Sequence, residues 1–478
     1  MLDGADRLGG APLWRPVLAA DAFVRTYVSD AGRAWIVVRR APGTRVRIDA
    51  VQRRLLELCD GRRTVDELAE AIGLDAGRPL SARGVLEALE PLAAAGALVH
   101  AGEEAARQSV ERGLQVIDLD DQMFSRLAIA IAPRTGFDCD GRGVCCGLYE
   151  RLLLDPEDVA NIRAAYGDEL TPGGLSVEGA VHRHRDDDAG GSLELAVVDG
   201  ACTLLEADRR CGVHRRLGVA RKPEGCRAYP IRDVVCGDEL SVGLAVECRC
   251  VIDFHDGPPI DAMAEAQRAR RGRMRLVEAV TERVPVTLAR RVPRDEYRAW
   301  REAARARLAN APDVAAWAFS EAQRIAGETI ARDPLVERAQ TLAPLFDEIG
   351  RLFELEAANT AHVYSARDLQ PQAFAWARDA HRRLRDELRR GFVSVEPALG
   401  ERVLAEQVLH AHGLLRSRTL ACGLFALGLR IRLARAGSAL TLVPALLPIP
   451  TVEYLHRAQA LARLLDEHAA SVERAIVD

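Results

Sequence analysis

A chain of 478 residues outgrows a single hydrophobic core and predicts about two to four domains, with an ordinary globular balance of 48% hydrophobic and 28% charged residues. Its 65 basic and 70 acidic residues leave a net charge of -5, which offers no global basic field and disfavours a dedicated nucleic-acid binder. The N-terminal residues show neither the basic nor the apolar segment of a secretory signal. The longest apolar run, Thr419 to Leu429, is too short to cross a bilayer and is followed by Arg430 and Arg432, so the expectation is a cytoplasmic protein with no membrane partner.

Residues 20–101 read as a small α+β module. Alternating apolar residues in Phe23 to Val28 and Ala34 to Val38, and the short run Val46 to Ile48, predict three strands. Ile48, Val51, Leu55 and Leu58 form one helical face that ends near Gly61. Thr64-Val65-Asp66-Glu67 is a capping box that starts a second helix, which Gly73 is expected to end. Ser81 caps a third, with Val85, Leu89 and Leu92 on one face and a kink expected at Pro91. The order of these elements, with Leu58-Cys59-Asp60-Gly61 before Thr64-Val65-Asp66-Glu67-Leu68-Ala69, resembles the PqqD-like domains, winged-helix relatives that recognise peptides in peptide-modifying systems. The resemblance implies a separable unit that takes an extended peptide on the sheet edge near Val46 to Ile48. A DNA-binding winged helix is disfavoured by 12 Arg against 11 Asp and Glu between Asp21 and Ala101.

Residues 120–256 hold most of the cysteines. Tyr149 to Leu154 reads as a strand. Asp155-Pro156-Glu157-Asp158 reads as a helix start, with a capping carboxylate, proline in the first turn and acids at the positive dipole end. Val181 to Gly191, with His182, His184 and three aspartates, reads as a solvated loop rather than a metal site. Leu193 to Val198 is a further strand and Asp199-Gly200 a turn. Residues 257–478 are rich in Ala, Leu, Arg and Glu, with breaks at Pro285, Pro293, Pro312, Pro334, Pro371, Pro397 and Pro444 to Pro450, which predicts a helical domain.

Nine of the eleven cysteines fall between Cys139 and Cys250, a clustering that cysteines serving as small apolar residues would not show. In a reducing compartment, clustered thiols are metal ligands or redox groups rather than structural disulfides. No C-x-x-C pair occurs, which disfavours a zinc ribbon or knuckle. Adjacent Cys145 and Cys146 point apart on a regular backbone. Nine thiols also exceed the four required by one tetrahedral zinc or one cubane cluster, so either more than one metal is held or several thiols are not ligands. Cys59 and Cys422 lie in apolar helical contexts where burial is expected.

Cys139 with Cys145-Cys146, then Asp199-Gly200-x-Cys202-x-Leu204-Leu205, Cys211-x-x-His214, Leu217-Gly218 and Lys222-Pro223-x-x-Cys226-Arg227-x-Tyr229-Pro230, resemble in order and spacing the YkgJ family of cysteine-cluster proteins. That family is described as zinc- or iron-chelating and includes the flagellin lysine N-methylase (FliB) group. A further cysteine usual between the first and the pair is absent here, and His214 stands where a tyrosine is common. The resemblance implies metal ligands among Cys139, Cys145, Cys146, Cys202, Cys211, Cys226, Cys248 and Cys250. It implies an iron-sulfur cluster, with 4Fe-4S favoured, or zinc. If it reaches function, it implies methyl transfer from S-adenosylmethionine to lysines of a protein or peptide substrate, in a pocket between the cysteine region and the C-terminal helices. His214 is either a nitrogen ligand or a hydrogen-bonded neighbour, and Lys222, the only lysine in the chain, is read as a solvated or cluster-neutralising cation. Cys236 has no counterpart in the family, and no catalytic residue is assigned.

No glycine-rich strand-turn-helix fingerprint is present, so S-adenosylmethionine would bind in another way. The expected fold is α+β and predominantly α: a winged-helix-like module at 20–101, a cysteine-rich α+β metal domain at 120–256 and a helical domain at 257–478. Against the enzyme stands a non-enzymatic metal-binding or redox-responsive protein with structural metal. A peptide-capture module joined to a cysteine domain is the feature that such a protein has no need for.

Overall fold

The chain opens on β1 (Pro16–Leu18) and a meander of β2 (Ala22–Ser29), β3 (Gly32–Arg39) and β4 (Arg45–Ile48), in which Ala22 faces Arg39 and Val38 faces Arg45. The computed structural model describes residues 14–19, 22–29, 32–39, 45–76, 80–102, 112–133, 143, 146–147, 152–183, 193–198, 201–253, 276–327, 339–363, 369–390, 400–438, 440, 448–457 and 460–477. Three helices follow the meander, each started by a side chain that satisfies an orphan N–H group. Asp49 and Gln52 form a reciprocal capping box for α1 (Ala50–Leu58), Thr64 and Glu67 another for α2 (Val65–Ala76), and Ser81 caps α3 (Ala82–Ala94). Next, β5 (Leu98–His100) returns antiparallel to β1. Ile48, Leu55, Leu68, Val85, Leu89 and Leu92 are buried together with Cys59, whose thiol burial pushes up to about 12.

One expected feature differs. The second helix runs through Gly73 to Ala76, since an interior glycine weakens a helix by only about 1 kcal/mol and does not stop it. Pro91 lies inside α3 at an exposed position.

The second stretch builds one small sheet of its own and shares two larger ones with the flanking stretches. Following β6 (Leu114–Asp118), β7 (Ala128–Ile131) and β8 (Leu153–Leu154), α4 (Pro156–Tyr166) starts on the expected Asp155 cap, with Asp158 completing the box. Of the expected loop at 181–191, the first residues instead form β9 (Val181–Arg183), and the rest lies outside the described residues. The strand expected at Leu193 to Val198 divides at Ala196, whose N–H donates to the Ala180 carbonyl. Its first half, β10 (Leu193–Leu195), pairs with β8 and β9. Its second half, β11 (Val197–Val198), pairs parallel with β2, and β12 (Ala201–Cys202) pairs with it in turn. One sheet of order β12-β11-β2-β3-β4 therefore joins the N-terminal module to the cysteine region.

Next come α5 (Gly212–Leu217), α6 (Glu224–Ala228), the hairpin of β13 (Ile231–Cys236) and β14 (Glu239–Leu244), α7 (Arg249–Asp253) and β15 (Leu276–Val280). The second sheet has the order β6-β15-β13-β14-β7, so it draws strands from both sides of residues 120 and 256. Along β13 and β15 its two faces follow the strand period: Val235 and Ala279 pack with Leu240, Val242, Leu119 and Phe124, while Val234, Cys236 and Val280 join the helical core.

The remainder is helical after the short pair β16 (Arg283–Pro285) and β17 (Arg291–Pro293). It comprises α8 (Arg294–Ala309), α9 (Val314–Ala326), α10 (Ala339–Val363), α11 (Leu369–Arg389), α12 (Glu401–His410), α13 (Leu420–Gly437), α14 (Pro448–Arg457), α15 (Ala460–Glu467) and α16 (Ala469–Val477). The longest apolar run became α13, which Thr419 caps and which is buried at every position. Three arginines on it are buried too, and Arg435 is paired with Glu401 and Asp313. Among the described residues no helix is long and apolar enough to cross a membrane. The fold is mixed α and β and predominantly helical.

The N-terminal module does not stand apart. Arg45, at the start of β4, is buried against Glu356 of α10 at 2.8 Å and its guanidinium lies 5.3 Å from the Phe374 ring centre on α11. With β2 paired to β11, the module is tied at both edges of its sheet.

Candidate functional site

Cys202 ends β12, and the chain then turns back on itself. The Leu205 N–H donates to the Cys202 carbonyl at 2.9 Å, a tight turn closes between Glu206 and Arg210, and Gly212 N–H donates to the Leu204 carbonyl at 2.8 Å. Arg209 takes the left-handed conformation in that turn, with φ 68°. Cys211 comes back beside Leu205 and precedes α5 directly. Into this loop projects Tyr166, the last residue of α4, buried and with no hydrogen-bond partner for its hydroxyl. Burial, then Cys211, Glu206 and Cys202, push its phenol up to about 12, against the opposing effect of Arg216, whose guanidinium lies 4.5 Å from the ring centre. The two thiols and the phenol therefore share one small volume.

Gly212 makes that volume possible. A Cβ there would stand 2.0 Å from the Tyr166 hydroxyl oxygen and 2.9 Å from Glu206 Oε1. Gly212→Ala is expected to lower stability by about 1–3 kcal/mol through overpacking. Adding Tyr166→Phe removes the closest atom, so the double variant should recover part of the loss in thermal unfolding. A double variant no more stable than Gly212→Ala alone would contradict the placement.

The first cysteine block meets this loop. Gly143, at φ 65°, lies where an added Cβ would stand 2.6 Å from the Arg209 carbonyl oxygen and 2.8 Å from Leu205 Cδ1. Cys146, three residues on, is a half-buried free thiol, whereas Cys139 and Cys145 lie outside the described residues.

The other expected ligands are placed elsewhere. The segment of α5 and α6 runs antiparallel beside α4. Arg216 Nη1 donates to the Ala165 carbonyl at 2.9 Å, Arg221 Nη1 to Asn161 Oδ1 at 3.1 Å, and the Glu224 N–H to Asp158 Oδ1 at 2.9 Å. Cys211 thus sits at the Tyr166 end of α4 and Cys226 at the Asp158 end, about 12 Å away at 1.5 Å of rise per residue. Cys248 and Cys250, at the start of α7, are buried with Cys236 in the helical core. Burial pushes the Cys236 thiol up to about 11 against the opposing charges of Arg301 and Arg298. His214 is exposed on α5, where burial and then the positive Lys222 and Arg210 hold its imidazole below the ordinary value. His182 pairs across strands with Glu194, and His184 lies outside the described residues. Among the described residues no three His, Cys, Asp or Glu side chains form a group that could hold a metal.

A second polar centre had no signature in the sequence. His412 is fully buried in the left-handed conformation, φ 52°, after α12. Arg301 Nη1 approaches its Nε2 at 2.6 Å, and since arginine only donates, Nε2 accepts and Nδ1 carries the hydrogen toward the Tyr297 hydroxyl at 3.0 Å. Arg301 also donates to Ser241 Oγ at 3.2 Å and Glu239 Oε1 at 2.8 Å, and the Ser241 hydroxyl donates to the same carboxylate at 2.6 Å. Burial opposes ionisation of Glu239, but the bonds from Ser241 and Arg301 outweigh it and hold its carboxyl below the usual range. This network fastens β14 to α8 and to the end of α12.

No protein-family model, curated protein or solved structure matches this chain.

Proposed function

We propose that this chain is a cysteine-centred metalloprotein that modifies a protein or peptide substrate, the reaction being lysine methylation from S-adenosylmethionine in the reading that the YkgJ and FliB resemblance suggests. The observation that carries the proposal is the shared sheet: β12, which ends on Cys202, and β11 continue the meander of the N-terminal module. Peptide capture and the thiol pair then belong to one element. A peptide added at β4, beyond the anchored Arg45, would take main-chain hydrogen bonds along Val46 to Ile48. From that added strand to β12 are five strand spacings, about 24 Å. An extended stretch of roughly seven residues spans this distance, so the modified residue would lie at least about that far along the substrate from its recognition segment.

Soft thiolates suit an iron-sulfur cluster or zinc. In this reading Cys202 and Cys211 found the centre, and Cys139, Cys145 and Cys146 would complete it, as the resemblance implies. Cys226, Cys248 and Cys250 would serve a second metal or remain thiols. Once bound, a cluster supplies a redox-active charged centre, and zinc a structural cross-link or Lewis acid. Tyr166 keeps its proton up to about 12 and so offers a hydroxyl donor to either neighbouring thiolate. Among the described residues no glycine-rich strand-to-helix turn offers a cradle for S-adenosylmethionine, and no residue is assigned to that cofactor. The second reading, metal held for structure alone, draws on the packing of Cys202 and Cys211 against Leu154, Ile162, Leu195 and Val213.

Anaerobic purification with metal analysis and an absorbance spectrum tests the centre. Cys202→Ser and Cys211→Ser are expected to reduce its metal to background and to lower folding stability with it. Cys226→Ser should lower total metal without emptying the site. Full metal in both of the first two variants would overturn the assignment. Broad sulfur-to-iron absorbance together with label passed from S-adenosylmethionine to lysines of a lysate protein would support the enzyme. Colourless zinc protein without transfer would leave the structural reading.

A further inference from the structure

The segment that leaves the thiol pair is basic. Between Glu206 and Lys222 it carries six basic residues and two acidic ones, in a protein whose net charge is -5. Both acids are engaged by Arg215, and Arg216 is paired with Glu169 at 2.8 Å. Arg221 is bonded to the neutral Asn161, and among the described residues no carboxylate is paired with Arg209, Arg210 or Arg221. The lowered imidazole of His214 registers the same field, since Lys222 and Arg210 act on it in addition to burial. All of 214–221 is exposed, and two apolar side chains stand among the charges: Leu217 at 36% and Val219 at 57% exposure.

Charged groups around a small apolar centre are the composition of a docking surface, in which complementary charge steers the encounter and the apolar contacts hold it. Cys211 adjoins this surface, so whatever docks there lies beside the thiols. We infer that the exposed surface from Arg209 to Lys222 docks an acidic, apolar-bearing segment of the protein substrate next to the Cys202 and Cys211 centre. This inference rests on the proposed substrate-modifying reading, and it adds the chemistry of the partner. An acidic segment complements a positive surface, and a lysine flanked by acids would be drawn to it where a lysine in a basic stretch would be repelled.

The test uses the full metal-replete chain and a fluorescein-labelled peptide of glutamates interspersed with leucines, with its glutamine counterpart as control, followed by anisotropy. The glutamate peptide should bind, weaken as salt is raised, and lose about tenfold or more in affinity when Arg209, Arg210 and Arg221 are together replaced by Glu. A control variant, Arg382→Glu with Arg385→Glu on α11, should bind as the wild type does. Far-UV circular dichroism confirms that each variant is folded, and a second triple variant to Gln should show an intermediate loss. Equal binding of the glutamine peptide, or full affinity in the folded Glu variant, would overturn the inference. Metal content and label transfer measured on the same proteins separate the two ideas. Binding without transfer defeats the enzymatic reading alone, and transfer undiminished by the charge reversal defeats the docking surface alone.

Discussion

Arg301→Ala is expected to cost about 3–5 kcal/mol of folding stability, a large part of what a domain possesses. The guanidinium is almost wholly buried and, besides its chain neighbour Glu302, serves three acceptors outside its own helix: His412 Nε2, Ser241 Oγ and Glu239 Oε1. Truncation leaves the imidazole nitrogen without its arginine donor in a dry environment and Glu239 with only the more distant Arg298 at 3.9 Å, so each group then bears much of its desolvation cost uncompensated. Arg301→Lys keeps the charge but cannot fork to three partners, so an intermediate loss is expected. Glu239→Gln on the alanine background should restore part of the stability by removing the stranded charge, a coupling of about 0.5–3 kcal/mol. Denaturant midpoints measure these proteins together with Glu239→Gln alone, which closes the cycle. An alanine variant within about 1 kcal/mol of wild type would show that the network is dispensable.

Why this network was invisible in the sequence follows from how it is built. Its members come from β14, α8 and the end of α12, and the pair Ser241 and His412 is 171 residues apart, so no periodicity or local spacing links them. Tyr166 was missed for the same reason: nothing in the residues around it marks a phenol aimed at thiols near residues 202 and 211. Local signals did better. The caps at Thr64, Ser81 and Asp155, and the strand alternation of the meander, act within a few residues and were legible. The order of the cysteines was legible too, but not their separation. Cys211 and Cys226 look like neighbours in one motif, and only the antiparallel course beside α4 sets them at its two ends. The join between β11 and β2 lay beyond reach because a strand of two residues carries almost no pattern, and its partner is far away in sequence.

Acidification below pH 6.5 is expected to destabilise the helical half steeply. Four buried histidines have imidazoles held well below the ordinary value: His381 and His410 at about 4, and His412 and His456 likewise well below it. Burial is the leading cause in each, reinforced by Arg385 at His381, by Arg301 at His412 and by Arg430 at His456. The sign follows from proton binding. Above about pH 6.5 the imidazoles are neutral in both folded and unfolded chains and impose no slope. Below it the unfolded chain takes up protons that the folded chain refuses, so stability falls as pH falls until each folded value is reached. Each histidine contributes about 1.4 kcal/mol per pH unit, and the four together approach about 5 kcal/mol per unit. Asp466 opposes this, because burial raises its carboxyl to about 6 and the folded chain then holds a proton that the unfolded chain has lost, but it offsets only one of the four. Denaturant midpoints stepped from about pH 7.5 to about pH 5 should therefore drop sharply below about 6.5. His381→Gln provides the control. It removes one titrating group from the contact with Gly350 between α10 and α11, and should flatten the slope by about 1.4 kcal/mol per pH unit. A midpoint that stays level through this range would mean that these imidazoles are already protonated in the folded chain.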